Sequence, residues 1–382
     1  MGRTTGFIWV FWCALAIGLL VVSGCHEGVT PGTGTVAEAE PGAVEAQPAE
    51  AVAEANVPNA EPAVEPGAVE AVGDAEEHQA EAVGGPVELA LRFSEGQRAV
   101  YKVTVEAEKR IEWVGPAENK PALFQGGRNA SRIEITFEQR AENISPDGDA
   151  LLKITLKALA YVGRMRDDIA LEFDSSAEKD QDSPLALLIG QGYRIRMSPK
   201  GEVLEVLDVT EARDAVAGPS AAHQTAGKLL AESVIKNRHR VAALASLNAE
   251  TVRPEQQWSN VKTFDFGMMG AKSYERQYRL AEVVKCKTGR VAVIDMEAIP
   301  SAVMAEQIHA QQTTNMFAGM FDNTGSYTGR VELDLDGGWL RTCREGLRTE
   351  WIVAQPFAGD GDAGPTALKM GAARSYHLER LD

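Results

Sequence analysis

Apolar and polar residues alternate with a period of two over most of the chain after residue 87. The stretch "RIEITFEQRAENI" (132–144) places Ile133, Ile135 and Phe137 on one side and charged or polar residues on the other. This alternation is typical of half-buried antiparallel strands. "SPDGD" (145–149) follows and predicts a hairpin turn, because an Asp-Gly pair tolerates positive φ. The same period predicts strands in these further segments: 87–93, 100–113, 151–162, 193–209, 262–285, 290–299, 327–346, 348–354 and 375–381.

Two segments instead have the apolar spacing of helices. Residues 221–247 are rich in Ala, Leu and Lys, and their larger apolar residues recur at intervals that place them on one face. Ser220, which follows a proline, is a suitable N-cap for this helix. A second helix is predicted over 301–321, directly after Pro300.

Many strands with few helices predict a mainly β domain of the α+β class. We expect a strongly curved antiparallel sheet or half-open barrel, with helices near 221–247 and 301–321. Residues 87–209 and 255–382 have a similar order of strands and turns, which suggests two similar halves joined by a helical segment. The pattern resembles the architecture of periplasmic lipoprotein-carrier domains, which have a helix across the mouth of a curved sheet. Such a resemblance implies a fold and does not settle a function.

The acidic character of the chain is concentrated before the predicted domain. Residues 27–86 contain 13 acidic residues and no Lys or Arg. Removing these charges and the positive charge of Arg3 from the total of −17 leaves −5 for residues 87–382. A nearly neutral domain without a concentrated basic face argues against a nucleic-acid partner. The segment 25–86 is dominated by Ala, Glu, Pro, Val and Gly without an aromatic residue, so we predict a disordered acidic linker.

The first 25 residues have the order of a bacterial lipoprotein signal. Arg3 provides a short positive region, and an apolar run from Phe7 to Val22 follows it. "VSGC", which ends at Cys25, resembles the lipobox, in which the cysteine thiol receives diacylglycerol and the chain is cut before it. The resemblance implies a signal peptide over 1–24, lipidation of Cys25 and membrane anchoring. Two alternatives remain open: an uncleaved membrane anchor and ordinary signal-peptide cleavage near Ser23.

Lipidation would place the protein in the cell envelope. His26 follows the lipobox cysteine where a sorting rule for some bacterial lipoproteins has Asp, which favours the outer membrane, facing the periplasm. The domain is also similar to an uncharacterised family of large β-rich envelope lipoproteins, through "FDSSAEKDQDSPLALLIGQGYRI" and "FGMMGAKSYERQYRL". This second resemblance spans most of residues 90–355 and implies no known activity.

The sequence contains no convincing catalytic or metal-binding motif. The six histidines and four cysteines show no zinc-ligand spacing, and no nucleophile elbow occurs. We therefore predict a non-enzymatic protein without a cofactor or metal. Cys286 and Cys343 remain after the signal segment, in a compartment where disulfides persist. They either form a disulfide or are separate buried thiols.

Function is predicted only in outline. The first hypothesis is a lipid-anchored domain that binds or scaffolds envelope proteins. The second is a carrier for a lipid or another apolar ligand, because methionine is a flexible residue that suits adaptable apolar surfaces. In that case the helix 301–321 would line the ligand site through Met304, Ile308, Phe317 and Met320, although the same residues would equally suit packing against the sheet. A hydrolase with an unrecognised site is the third hypothesis. A carrier requires an open apolar cavity, and a scaffold does not.

Overall fold

The computed structural model describes most of the predicted domain, in seven ranges. They are 81–82, 84–120, 124–266, 271–287, 289–301, 322–354 and 366–382. All belong to one compact unit, which includes Ala80–Asp382. The predicted signal peptide 1–24, the lipidation site Cys25, nearly all of the linker 25–86 and the helix 301–321, apart from Ser301, lie outside the described residues.

The described chain consists mainly of long antiparallel strands, which confirms the predicted class. The strands are β1 (Glu81–Ala82), β2 (Arg98–Val114), β3 (Gly127–Ile144), β4 (Ala150–Met165), β5 (Asp168–Asp174), β6 (Gly192–Met197), β7 (Val203–Leu207), β8 (Gln257–Asp265), β9 (Ala271–Cys286), β10 (Gly289–Pro300), β11 (Asp322–Asp334), β12 (Trp339–Ala354) and β13 (Ala367–Arg380). The α-helices are α1 (Thr210–Ala215), α2 (Ala221–Leu229), α3 (Glu232–His239) and α4 (Ala242–Ala245). Three single-turn 3-10 helices cover Ala117–Asn119, Glu178–Asp180 and Ala186–Leu188.

All thirteen strands form one open sheet. Its order is β1-β9-β10-β11-β12-β13-β2-β3-β4-β6-β7, with β5 pairing to β4 and β8 pairing to β9. Strands β2–β7 form one meander and β8–β13 another, and the two meanders meet where β13 pairs with β2 from Ala367↔Val114 to Arg380↔Tyr101. The helices lie in the connection between the meanders. Each half of the chain therefore builds one side of a single sheet.

Side-chain alternation decides which face of each strand is buried. On β3, Ile133, Ile135 and Phe137 are all buried, as their spacing predicts. The turn after β3 occurs at "SPDGD", where Gly148 has a φ of +86°. Residues 348–354, expected as a separate strand, instead extend β12, so that one long strand runs through Gly346.

The predicted strand 87–93 is extended but is not part of the sheet. Val87 makes an isolated bridge with Val252, and the backbone of Leu91 donates to the carbonyl of Pro199 at 2.7 Å. Leu89 and Leu91 are nevertheless buried. Their alternation reflects packing of this segment across the core instead of pairing in a ladder, and a period-2 pattern cannot distinguish the two arrangements.

The connection between the two meanders contains several short helices, whereas the sequence predicts a single helix over 221–247. Ser220 is the N-cap of α2, and its hydroxyl accepts a hydrogen bond from the backbone of His223 at 3.3 Å. The helical segment then breaks twice, after α2 and after α3. At the second break the backbone of Val241 donates to the carbonyl of Gly201 at 2.9 Å, which ties the segment to the β6–β7 hairpin. These breaks let the short helices follow the inner face of the sheet.

No helix in the described ranges combines the length and the apolar character that crossing a bilayer would require.

Candidate functional site

A cavity of about 300 Å³ lies between the sheet and helix α3. Its apolar wall is formed chiefly by these side chains: Val103 and Val105 of β2, Ile133 and Ile135 of β3, Leu229 of α2 and Leu347 of β12. Residues of β8 and β9 line it as well. Strands β3 and β9 are six steps apart in the sheet order, which would be about 29 Å in a flat sheet. Because both reach the same cavity, the sheet is strongly curved around it.

Hydrogen bonds between side chains and backbone hold the helices over the cavity. The Tyr376 hydroxyl of β13 donates to the carbonyl of Arg238 in α3 at 2.8 Å. The indole N–H of Trp258, on β8, donates to the carbonyl of Ala243 in α4 at 2.8 Å. Each bond uses a carbonyl near the end of a short helix, where the intrahelical partner is missing. Both bonds come from the β8–β13 meander, and the bond from Val241 to the carbonyl of Gly201 ties the helices to the β6–β7 hairpin of the other meander. The helices therefore form a roof that is fastened to both meanders.

Three buried polar side chains, Tyr193, Arg238 and His239, fix the C-terminal end of α3. The Arg238 guanidinium donates to the carbonyl of Leu229 at 2.8 Å and to the Tyr193 hydroxyl at 3.1 Å. The same hydroxyl lies 2.8 Å from Nε2 of His239. Because it already accepts from Arg238, we assign it as the donor to an unprotonated Nε2. Burial, together with the neighbouring Arg238 charge, lowers the pKa of His239 well below its usual value, so the imidazole is neutral at pH 7.

The floor of the cavity carries a charged group, which we call the floor cluster: Asn260, Lys262, Arg276, Tyr327 and Glu345. Nζ of Lys262 lies 3.4 Å from Oε2 of Glu345, and Nη1 of Arg276 lies 3.5 Å from Oε1. The Tyr327 hydroxyl donates to Oε2 of Glu345 at 2.5 Å. The Arg276 side chain also donates through Nε to Oδ1 of Asn260 at 2.8 Å.

The floor cluster is ionised and nearly dehydrated. The side chains of Arg276, Glu345 and Lys262 are only 2%, 16% and 25% exposed. Burial alone would raise the pKa of Glu345, but the two cations and the Tyr327 hydroxyl outweigh it and lower that pKa to about 2. Two cations thus share one carboxylate, and the cluster has a net charge of +1.

Sequence reasoning missed the floor cluster, although a signal for it was present. Arg276 lies on the same side of β9 as the buried Tyr274 and Tyr278, and Glu345 lies on the same side of β12 as Cys343 and Leu347. A charged residue at an apolar position of an alternating strand must face inward. That pattern marks a buried polar site even when the partner residues are distant in sequence.

The two candidate disulfide cysteines are far apart. Cys343 is buried beside the cavity, and burial raises the pKa of its thiol. Cys286 ends β9, and its thiol donates to the carbonyl of Gly289 at 3.0 Å. Three strand steps separate β9 from β12, or about 14 Å, whereas a disulfide needs Cα atoms about 4.4–6.8 Å apart. Of the two alternatives that the sequence left open, the structure therefore has separate thiols and no bridge between Cys286 and Cys343.

The other predicted site residues cannot be placed. Met304, Ile308, Phe317 and Met320 lie outside the described residues, as does Cys25. The apolar lining that the structure does describe comes from strands and from α2, α3 and α4. Within the described ranges, no group of three or more His, Cys, Asp or Glu side chains is arranged to hold a metal ion.

Comparison with known proteins adds a family but no activity. The model of a family of unknown function (DUF6263) matches residues 147–340. No curated protein matches the sequence significantly. Among solved structures, OpdL of Pseudomonas aeruginosa is similar at 10% identity and a TM-score of 0.17, with 75% of this chain and 99% of that chain covered. OpdQ of the same organism is similar at 8% identity and a TM-score of 0.16, with 75% and 98% covered. Likenesses this weak carry no argument about fold or function.

Proposed function

We propose that this chain, which belongs to a family of unknown function (DUF6263), is a lipid-anchored envelope protein whose β-rich domain binds a small amphipathic molecule. The observation that carries the proposal is the cavity of about 300 Å³ beneath α3. A domain that serves only as a scaffold needs a filled core and gains nothing from such a space. Ligand sites in proteins are typically apolar cavities of about 300–1,000 Å³ with a few polar groups, and this cavity has both components.

The cavity volume limits the size of the ligand. A methylene group is similar in size to a water molecule, whose share of liquid volume is about 30 Å³, so the cavity accommodates a chain of roughly ten carbons. Burying each methylene group contributes about 0.8 kcal/mol to the free energy of binding, so even a single short chain should bind with a measurable affinity. A molecule with several long chains would require the helices of the roof to move.

Titration with a neutral ten-carbon ligand tests the proposal. We would use the mature-length chain, residues 25–382 with Cys25→Ala, so that the protein has no acyl group of its own. Calorimetric titration with 1-decanol should show one site per chain. The substitution Val105→Trp, which places an indole in the cavity, should abolish this binding. Thr104→Trp is the matched control, because the neighbouring side chain points to the opposite face of β2. Equal decanol binding by both variants would contradict a site in this cavity.

Lipid anchoring is supported by the lipobox-like sequence that ends at Cys25. In the proposal, the acidic linker holds the binding domain away from the membrane surface. Labelled fatty acid should enter the wild-type chain in bacteria, and mass spectrometry should show a mature protein that begins at an acylated Cys25. Incorporation of the label into a Cys25→Ala variant would refute lipidation at this residue.

A scaffolding function is the second candidate, and one observation favours it. Several large apolar side chains are about half exposed at the same end of the sheet: Val114, Ile169, Ile299 and Ile352. Exposed apolar side chains mark an interaction surface where they form a contiguous patch, and the crosslinking experiment below tests whether this end of the sheet acts as one. A photoreactive amino acid at position 352 should give one discrete crosslinked product in intact cells if this end contacts a protein. The absence of any product would leave only the binding function.

A further inference from the structure

We infer that the ligand has an anionic group, a carboxylate or a phosphate, and that Lys262 and Arg276 bind it at the floor of the cavity. This inference rests on the proposed function, since it specifies the polar end of the molecule whose apolar part occupies the cavity. The same two side chains line that cavity, so an anion beside them leaves its chain against the apolar wall.

The contacts of Glu345 leave both cations incompletely paired. Charge-assisted hydrogen bonds between nitrogen and a carboxylate are usually about 2.7–2.9 Å long. Glu345 is 3.4 Å from Lys262 and 3.5 Å from Arg276, and its one short contact, 2.5 Å, is with the Tyr327 hydroxyl. Among the described residues, no other carboxylate pairs with either cation within 4.0 Å. An ammonium group has three donors and a guanidinium has five, so donors remain for a ligand.

The charge balance favours an anion over other polar groups. A buried charge without a counter-charge is strongly unfavourable, and the floor cluster has one positive charge in excess. An anionic ligand would neutralise that excess. An alcohol can accept a hydrogen bond there but leaves the excess charge in place, and an ammonium group would be repelled. Carboxylate and phosphate oxygens both fit these donors, so the cluster selects for negative charge, and the titrations that follow distinguish the two anions.

The test compares four ten-carbon probes: decanoate, decyl phosphate, 1-decanol and decylammonium. Each is titrated calorimetrically into residues 25–382 with Cys25→Ala at pH 7.5 and low salt. Because hydrogen bonds to charged groups are stronger than those between neutral groups, we expect the better anion to bind roughly tenfold to a hundredfold more tightly than decanol. The stronger anion identifies the class: preference for decanoate indicates a carboxylate ligand, and preference for decyl phosphate indicates a phosphate ligand.

Variants of the floor cluster assign the effect to its residues. Lys262→Met keeps the length of the side chain and should remove most of the advantage of the anion over decanol, measured as the ratio of the two affinities within this variant. Lys262→Arg should restore that advantage. Glu345→Gln, which removes the competing carboxylate, should strengthen anion binding severalfold. The matched control is Lys236→Met, since Lys236 also lines the cavity but pairs with Glu232 on α3 at 2.9 Å. This substitution should leave the preference for the anion intact.

The outcomes separate this inference from the proposed function. Equal binding of anion and alcohol overturns the inference and leaves the proposed function standing, as does tighter binding of decylammonium. Failure of all four probes to bind overturns both. An equal effect of Lys236→Met and Lys262→Met would show a general electrostatic effect and would overturn the assignment to the floor cluster. If Lys262→Met does not fold, unchanged anion affinity in Glu345→Gln still counts against the inference, and a severalfold increase supports it.

Discussion

Protonation of His239 should loosen the roof of the cavity as the pH falls. His239 is buried, it accepts a hydrogen bond from Tyr193, and it is next to the charge of Arg238. Its pKa is lowered in the folded state by burial and by Arg238, whereas an unfolded chain has a histidine pKa near 6.5. The folded state therefore binds this proton less readily than the unfolded state does. Its contribution to stability is complete above pH 6.5 and is lost as the pH falls below that value.

The size of the effect follows from proton linkage. Each pH unit below 6.5 should cost about 1.4 kcal/mol while His239 stays neutral in the fold, so the free energy of unfolding should fall by about 2 kcal/mol between pH 6.5 and 5.0. Glu345 does not contribute in this window, because its pKa falls from the ordinary value of 4.5 to about 2 in the fold. Burial and the charge of Arg344 also lower the pKa of His377. Its effect on the free energy of unfolding is the same in two proteins that differ only at position 239, so it cancels when they are compared.

Urea unfolding at a series of pH values measures this slope. The comparison is with His239→Gln, whose amide oxygen can accept the hydrogen bond from Tyr193 but does not titrate in this range. We expect the wild type to lose about 2 kcal/mol more than this variant between pH 6.5 and 5.0. Parallel loss of stability in the two proteins would refute the assignment of a buried neutral histidine at this position.

Two further substitutions test other parts of the fold, each by urea unfolding at pH 7.5. Gly338→Ala should destabilise the protein by at least about 1 kcal/mol, because φ is +71° and a Cβ atom would lie 2.7 Å from the backbone nitrogen of Arg92. Gly346→Ala, where a Cβ atom meets nothing within 4 Å, should be nearly neutral, and equal effects would contradict this reasoning. Trp258→Phe, which removes the hydrogen bond to the carbonyl of Ala243, should cost about 1 kcal/mol; an unchanged free energy of unfolding would mean that this bond does not help to fasten the roof.

The sequence predicts the strands well because their signal is local. The alternation of Ile133, Ile135 and Phe137 is readable within a few residues, and so are the turn at residues 145–149 and the cap at Ser220. The alternation of apolar and polar residues also predicts a strand over 87–93. It cannot show that this segment packs across the core without pairing in the sheet. Local patterns specify elements, and they do not specify pairing partners.

The candidate site was not predictable in the same way because distant residues form it. Lys262 and Glu345 are 83 positions apart and meet only because β8 and β12 curve around the same space. The cavity itself depends on where α3 lies above the sheet. That position is set by single contacts, such as the hydrogen bond from Tyr376 to the carbonyl of Arg238, which leave no periodic trace in the sequence.

The pairing of β13 with β2 has a consequence for biogenesis. In the sheet, the described strands of the two meanders pair with each other at this seam, and its second strand is synthesised some 250 residues after its first. A nascent chain therefore exposes one long side of β2 until Ala367–Arg380 has left the ribosome. Contacts of such sequence separation form slowly. Under the proposed envelope location, slow closure would leave time for translocation before the final seam forms, and the unpaired edge of β2 would stay open to other chains until then.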